Sequence, residues 1–206
     1  MAGGCCNHCG VPPSARQGWY RKILWIALAI NLTMFFIEIM SGFRSGSVSL
    51  LADSLDFLGD AANYGISLVV LGLSVTVRAN ASRIKGLSMG AFGLWVIGLA
   101  IRNLTSSVVP NVPTMGIVGL SALIANCVVA LLLFTYRDGD CNMRSVWLCT
   151  RNDALGNVAV LLAALGVFGT GAGWPDLAVA AIMAMLALTS AVKILRQANA
   201  ESGAGA

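Results

Sequence analysis

The chain has 206 residues, 57% of them hydrophobic and only 11% charged, and its mean hydropathy is +0.80. That composition excludes an ordinary soluble domain and leaves no polar stretch long enough for a separate catalytic unit, so an enzyme is not expected. The net charge of +4 does not indicate nucleic acid as a partner, because the basic residues sort by side of a membrane rather than onto one surface.

Residues 1–18 form a cysteine-rich tail in which CCNHC places Cys5, Cys6, His8 and Cys9 within five positions. Ligand pairs in closed zinc sites stand about two to four residues apart, so this cluster suits a flexible capture site better than a folded finger. The alternative is an incidental group of reactive thiols. No basic residue precedes Arg16 and no small-residue cleavage site follows the first apolar run, so the segment does not read as a signal peptide. With Cys127, Cys141 and Cys149 lying elsewhere in the chain, the six cysteines do not form a disulfide framework.

Six apolar blocks follow, at residues 23–40, 49–75, 87–101, 115–136, 145–168 and 176–195. Most approach the roughly 20 residues needed to cross the hydrocarbon core, and the third must borrow a turn from its flanks. The expected fold is all-α: a transport domain at 19–198 with six transmembrane helices, then a short disordered tail at 199–206. With six crossings, Arg16, Arg21, Lys22, Arg78, Arg83, Lys85, Arg137, Arg144, Lys193 and Arg196 share one side; Arg44 and Arg102 lie opposite and Arg151 falls within a helix. The positive-inside rule makes the crowded side cytoplasmic, with both termini there, in an integral protein of a bacterial inner membrane.

On the first helix Trp19, Tyr20 and Trp25 suit an interfacial belt. Asn31 and Glu38, seven residues apart on one face, either line a cation path or bond the second helix. Glycine and serine turn the chain at 41–48 (SGFRSGSV). The second helix, LADSLDFLGDAANYG, carries Asp53, Asp56 and Asp60 on one face, which cannot look at lipid. Three carboxylates that close repel, so a cation or protons must stand among them. Gly86 and Gly90 on the third helix suit a close helix–helix approach, and Pro110 and Pro113 punctuate the way to the fourth. On the fourth helix Cys127 reads as packing and Asn126 as an inter-helix hydrogen bond, as do Asn63 and Asn157, the last two with a possible supporting role at a site.

A turn at Asp138-Gly139-Asp140 leads to the fifth helix, SVWLCTRNDALGNVAVLL, where Cys149 and Asp153 stand four residues apart and Asn157 four further on. Arg151 and Asn152 face elsewhere. Glycines at 170–175 (TGAGWP) end this helix, and Pro175 and Asp176 suit the start of the sixth. Asp56/Asp60 and Cys149/Asp153 are thus matched i, i+4 pairs in apolar helices, four anionic groups that imply a tetrahedral divalent cation such as a zinc-like ion.

SGSVSLLADSLDFLGDAANYGISL resembles the second-helix signature of cation diffusion facilitators, antiporters that exchange cytoplasmic divalent metal ions for protons. Asp56 and Asp60 match the family's first metal pair, Asp153 the second aspartate of the fifth-helix pair, and WPDLAVAAIMAMLALTSAVKILRQA its sixth helix; the resemblance covers about residues 20–198. Cys149 stands where the family usually has His or Asp, and the cytoplasmic domain most members carry after the sixth helix is not seen here. The resemblance implies a homodimer, here formed through the membrane helices.

The function expected is efflux of a divalent transition metal in exchange for protons, with Asp56, Asp60, Cys149 and Asp153 as ligands and Asp53, Glu38, Asn31, Asn63 and Asn157 as accessory groups. The thiolate shifts preference toward Zn²⁺ or Cd²⁺. Four deprotonated ligands carry −4 against +2, so the empty site must recover protons. Metal and protons are cargo, and no resident cofactor is expected. The competing readings are a proton-coupled small-molecule exporter and a non-transporting metal sensor or assembly protein.

Overall fold

A computed structural model of the chain describes residues 14–69, 75–106, 108–136 and 141–203, and on the fifth helix the side chains of Thr150 and of Asp153 onward. Six helices follow one another: α1 (Ser14–Ser45), α2 (Val48–Val69), α3 (Val75–Ser106), α4 (Val112–Phe134), α5 (Cys141–Thr170) and α6 (Trp174–Gly203). No strand occurs among the described residues. The cluster of Cys5, Cys6, His8 and Cys9 and the turn at 138–140 lie outside them.

Five helices contain stretches long and apolar enough to cross a membrane: Gly18–Ser45, Arg83–Ser106, Val112–Phe134, Asp153–Thr170 and Trp174–Arg196. The remaining one, α2, has 22 residues and falls short because it carries Asp53, Asp56 and Asp60. It is enclosed instead, packed by α1, α3, α5 and α6 and buried along most of its length. A helix with three carboxyls belongs inside a bundle, where protein rather than lipid surrounds them. The fold is an all-α bundle of six transmembrane helices.

Helix lengths depart from the apolar blocks for a simple reason. α1 and α3 each have 32 residues, or ~48 Å at ~1.5 Å per residue, more than the ~30 Å hydrocarbon core. Hydropathy registers only the part in lipid, so α3 begins twelve residues before the block at 87–101. Similarly, α6 continues to Gly203, where a disordered tail was expected from residue 199. Residues 197–202 contain no glycine or proline to stop it.

The link from α1 to α2 is Gly46, at φ +72°, and Ser47. Ser47 Oγ accepts from Leu50 N at 3.2 Å, an N-cap bond. The Asp176 carboxylate completes this cap from α6, accepting from Val48 N at 2.8 Å, Ser49 N at 3.1 Å, Ser47 Oγ at 2.7 Å and Ser49 Oγ at 2.5 Å. Asp176 does lie in the first turn of α6, but its bonds go to the N-terminus of α2. On α4, Asn111 is the N-cap and accepts from Thr114 N at 3.0 Å, with Pro113 in the first turn.

Small residues seat α3 on α6. A β-carbon at Gly86 would stand 2.9 Å from Leu195 Cγ, and one at Gly90 3.7 Å from Ala191 Cβ, so this pair of glycines lies in the seam as the spacing suggested. Leu, Phe and Ile side chains elsewhere face outward, as lipid-exposed surface: Phe168 is 76% and Leu131 71% exposed. Cys127 belongs to that outer surface, on the exposed face of α4, and does not pack inside. Trp19 and Trp25 are exposed as a belt requires, whereas Tyr20 is buried against Tyr136, ring centroids 5.1 Å apart.

Candidate metal centre

The aspartates of α2 follow the helical period. Asp53 and Asp60, seven residues apart, are buried, and Asp56 between them is partly open. α5 faces them with Asp153, also partly open, and with the fully buried Asn157. The Asp60 and Asp153 carboxyls come within hydrogen-bonding reach of each other across the α2–α5 interface. Oδ2 of Asp56 points at α5 as well, 3.9 Å from where a β-carbon on Gly156 would stand. Glycine there leaves room beside that carboxylate.

Asp60 has neighbours that its spacing did not announce. Tyr64, one turn on, donates its hydroxyl to Asp60 Oδ2 at 2.9 Å and lies 2.6 Å from Thr150 Oγ1 on α5. Asn63 is also in hydrogen-bonding contact with Asp60 and accepts a hydrogen bond from Lys85 Nζ of α3, whose charge acts on Asp60. The sequence held a signal for Tyr64 and Thr150: they stand four residues after Asp60 and three before Asp153, on the same faces. Aromatic and hydroxyl residues in a membrane helix are common, and that signal was too weak to use.

Cys149 lies on α5 one turn before Asp153, with its side chain outside the described residues. Among the described residues no three His, Cys, Asp or Glu side chains converge closely enough to hold one ion. Asp60 is turned toward Tyr64 and Asp153, and Asp56 Oδ2 lies beside Gly156 on the same side of α2. The donor set itself suits a divalent cation, with carboxylates from two helices facing each other in a protein interior.

The accessory residues divide. Glu38 and Asp53 are buried together between α1 and α2. Asn31 donates to Ala27 O of its own helix at 2.8 Å and does not reach across to α2. Asn157 is buried, with no hydrogen-bond partner for its amide among the described residues, and Asn126 Oδ1 is likewise unpartnered.

The family model for the cation efflux transmembrane domain matches residues 24–200, the whole bundle except the start of α1 and the last turn of α6. The chain belongs to the cation efflux family. Its relatives in that family include the "Cadmium, cobalt and zinc/H(+)-K(+) antiporter" of Bacillus subtilis (strain 168), 27% identical over 197 residues, covering 87% of this chain and 62% of that protein. The "Metal cation efflux system protein CzcD" of Cupriavidus metallidurans is 26% identical over 184 residues, covering 83% and 58%. The "Zinc transporter ZitB" of Escherichia coli (strain K12) is 26% identical over 199 residues, covering 90% and 63%. The chain therefore spans less than two thirds of the length of each of these relatives.

Proposed function

We propose that this chain carries divalent transition-metal ions, Zn²⁺ and Cd²⁺ foremost, out of the cytoplasm in exchange for protons. The observation that carries the reading is the meeting of Asp60 and Asp153 carboxyls between α2 and α5 inside the bundle. Two facing carboxylates there need a cation or a proton between them, and an exchanger needs each in turn. The printed names of the relatives, as cadmium, cobalt and zinc antiporters or zinc transporters, support the same cargo.

In this account Asp56, Asp60, Cys149 and Asp153 are the ligands. Closing the site brings the Asp56 carboxylate together with those of Asp60 and Asp153, with the Cys149 thiolate joining from the previous turn of α5. Metal loading from the cytoplasm displaces protons from these groups. The helices then rearrange to open the site outward, and protons arriving there release the ion. Both termini are cytoplasmic, by the distribution of Lys and Arg, and two copies associate through the membrane helices.

Flux into inverted membrane vesicles containing the chain tests the reading. Zn²⁺ and Cd²⁺ uptake should follow an imposed pH gradient and collapse when the gradient is dissipated. Uptake indifferent to the gradient, or absent for both ions, contradicts it.

A further inference from the structure

The bundle holds a second pair of facing carboxyls, apart from the proposed ligands. Glu38 of α1 and Asp53 of α2 lie within hydrogen-bonding reach of each other and are 0% and 1% exposed. Asp53 precedes Asp56 by three residues, ~4.5 Å along the helix axis at ~1.5 Å per residue. On the proposed orientation the pair is on the outward side of the metal site. Oε1 and Oε2 of Glu38 and Oδ2 of Asp53 have no hydrogen-bond partner among the described residues.

That arrangement is incomplete as two carboxylates. Ionised carboxyls only accept hydrogen bonds, so neither satisfies the other, and two adjacent like charges buried in the bundle repel with no water to screen them. A single proton repairs both faults: it supplies the missing donor and removes one charge.

The groups around the pair offer no substitute for that proton. On α2, Asp56 adds negative charge. The α6 carboxylate, Asp176, is engaged with Ser47, Val48 and Ser49. α1 offers Asn31, bonded to Ala27, α4 the neutral Asn126, and α5 Asp153, which faces Asp60. Lys85 of α3 stands with Asn63 and Asp60. No third His, Cys, Asp or Glu among the described residues joins the pair to complete a metal site.

We propose that Glu38 and Asp53 share one proton and form a proton-binding site distinct from the metal ligands, emptied when a divalent ion occupies the neighbouring site and refilled when the ion leaves. The inference rests on the metal-exchange reading above. The step is an acid–base one: the shared carboxyl O–H bond breaks as the nearby positive charge arrives, the proton passes to water, and both carboxylates then face the field of the ion. On outward release of the ion a proton from the outer side restores the O–H bond. The pair thus adds one exchanged proton to those displaced from the ligands.

Proton release on Zn²⁺ binding tests this directly, using the full chain in lipid nanodiscs in weakly buffered solution near neutral pH. The double variant Glu38→Gln, Asp53→Asn should bind Zn²⁺ and release about one proton fewer per ion than the unaltered chain. The exchanged pair Glu38→Asp, Asp53→Glu should restore the count. An equal count in the unaltered chain and the double variant overturns the proposal, as does a difference that appears only when K⁺ is present, which would assign the pair to a monovalent cation. The infrared carbonyl stretch of a protonated carboxyl gives a reading that needs no metal. It should be present in the Zn²⁺-free chain and weaker in the single variant Glu38→Gln, and an unchanged band overturns the proposal. If Zn²⁺ does not bind the unaltered chain at all, the metal-exchange reading fails, and the infrared band still decides whether the pair holds a proton.

Discussion

The Tyr64 hydroxyl stands 2.9 Å from Oδ2 of Asp60, one turn away on α2. The Tyr64 oxygen is also 2.6 Å from Thr150 Oγ1, so a single phenol links α2 to α5 beside the carboxyls proposed to hold the metal. Groups that orient a ligand in this way typically change metal affinity by about 10–100-fold when removed. They also fix where the carboxylate points between loading and release.

Tyr64→Phe removes that donor and keeps the ring, which packs with Leu24, Leu68 and Val129. The metal concentration for half-maximal Zn²⁺ uptake should rise by about tenfold, with the Cd²⁺ to Zn²⁺ ratio unchanged. An unaltered half-maximal concentration would show that Asp60 is oriented by something other than Tyr64.

Cys149→His replaces the soft ligand of the proposed set. Zn²⁺ transport should persist while Cd²⁺ weakens relative to Zn²⁺, because imidazole is harder than thiolate. Competition between the two ions in one uptake assay measures the ratio. A ratio that stays the same would make Cys149 a packing residue.

Asp176→Ala should destabilise the bundle without touching the metal ligands. It leaves Val48 N, Ser49 N and two serine hydroxyls without their shared acceptor at the start of α2. Buried donors left unpaired cost about 1–3 kcal/mol each, so the melting temperature in detergent should fall well below that of Asp176→Asn, which retains one acceptor oxygen. Equal melting temperatures for the two variants would mean that the inter-helix cap contributes little.

Much of this was legible in the sequence. The apolar blocks gave the six helices, because lipid-facing side chains set hydropathy directly, and the unusual aspartates of α2 marked the one helix that must be enclosed. Spacing put Asp60 on one face of α2 with Asp56, and Asp153 on one face of α5 with Cys149; that the Asp60 and Asp153 faces meet came from packing. Partner choice was harder to read. Asp176 satisfies the rules for the start of its own helix, yet its hydrogen bonds go to a helix more than a hundred residues earlier. Glu38 had two readings on α1 because its partner, Asp53, belongs to a helix whose azimuth only packing fixes. Cys127 and Tyr20 show the same limit: which side of an almost wholly apolar helix faces inward is set by its neighbours, since period and composition are nearly equal all round.

The central claim is that α2 and α5 together hold one ion, and counting bound Zn²⁺ tests it most directly. In a chain whose Cys5, Cys6, His8 and Cys9 are replaced, so that the N-terminal cluster contributes nothing, equilibrium dialysis in nanodiscs should find one Zn²⁺ per chain. Asp60→Asn and Asp153→Asn, which keep the side-chain shape and remove one charge each, should both abolish that binding while the protein retains its helical content. One Zn²⁺ per chain retained in either variant would contradict a metal centre built between these two helices.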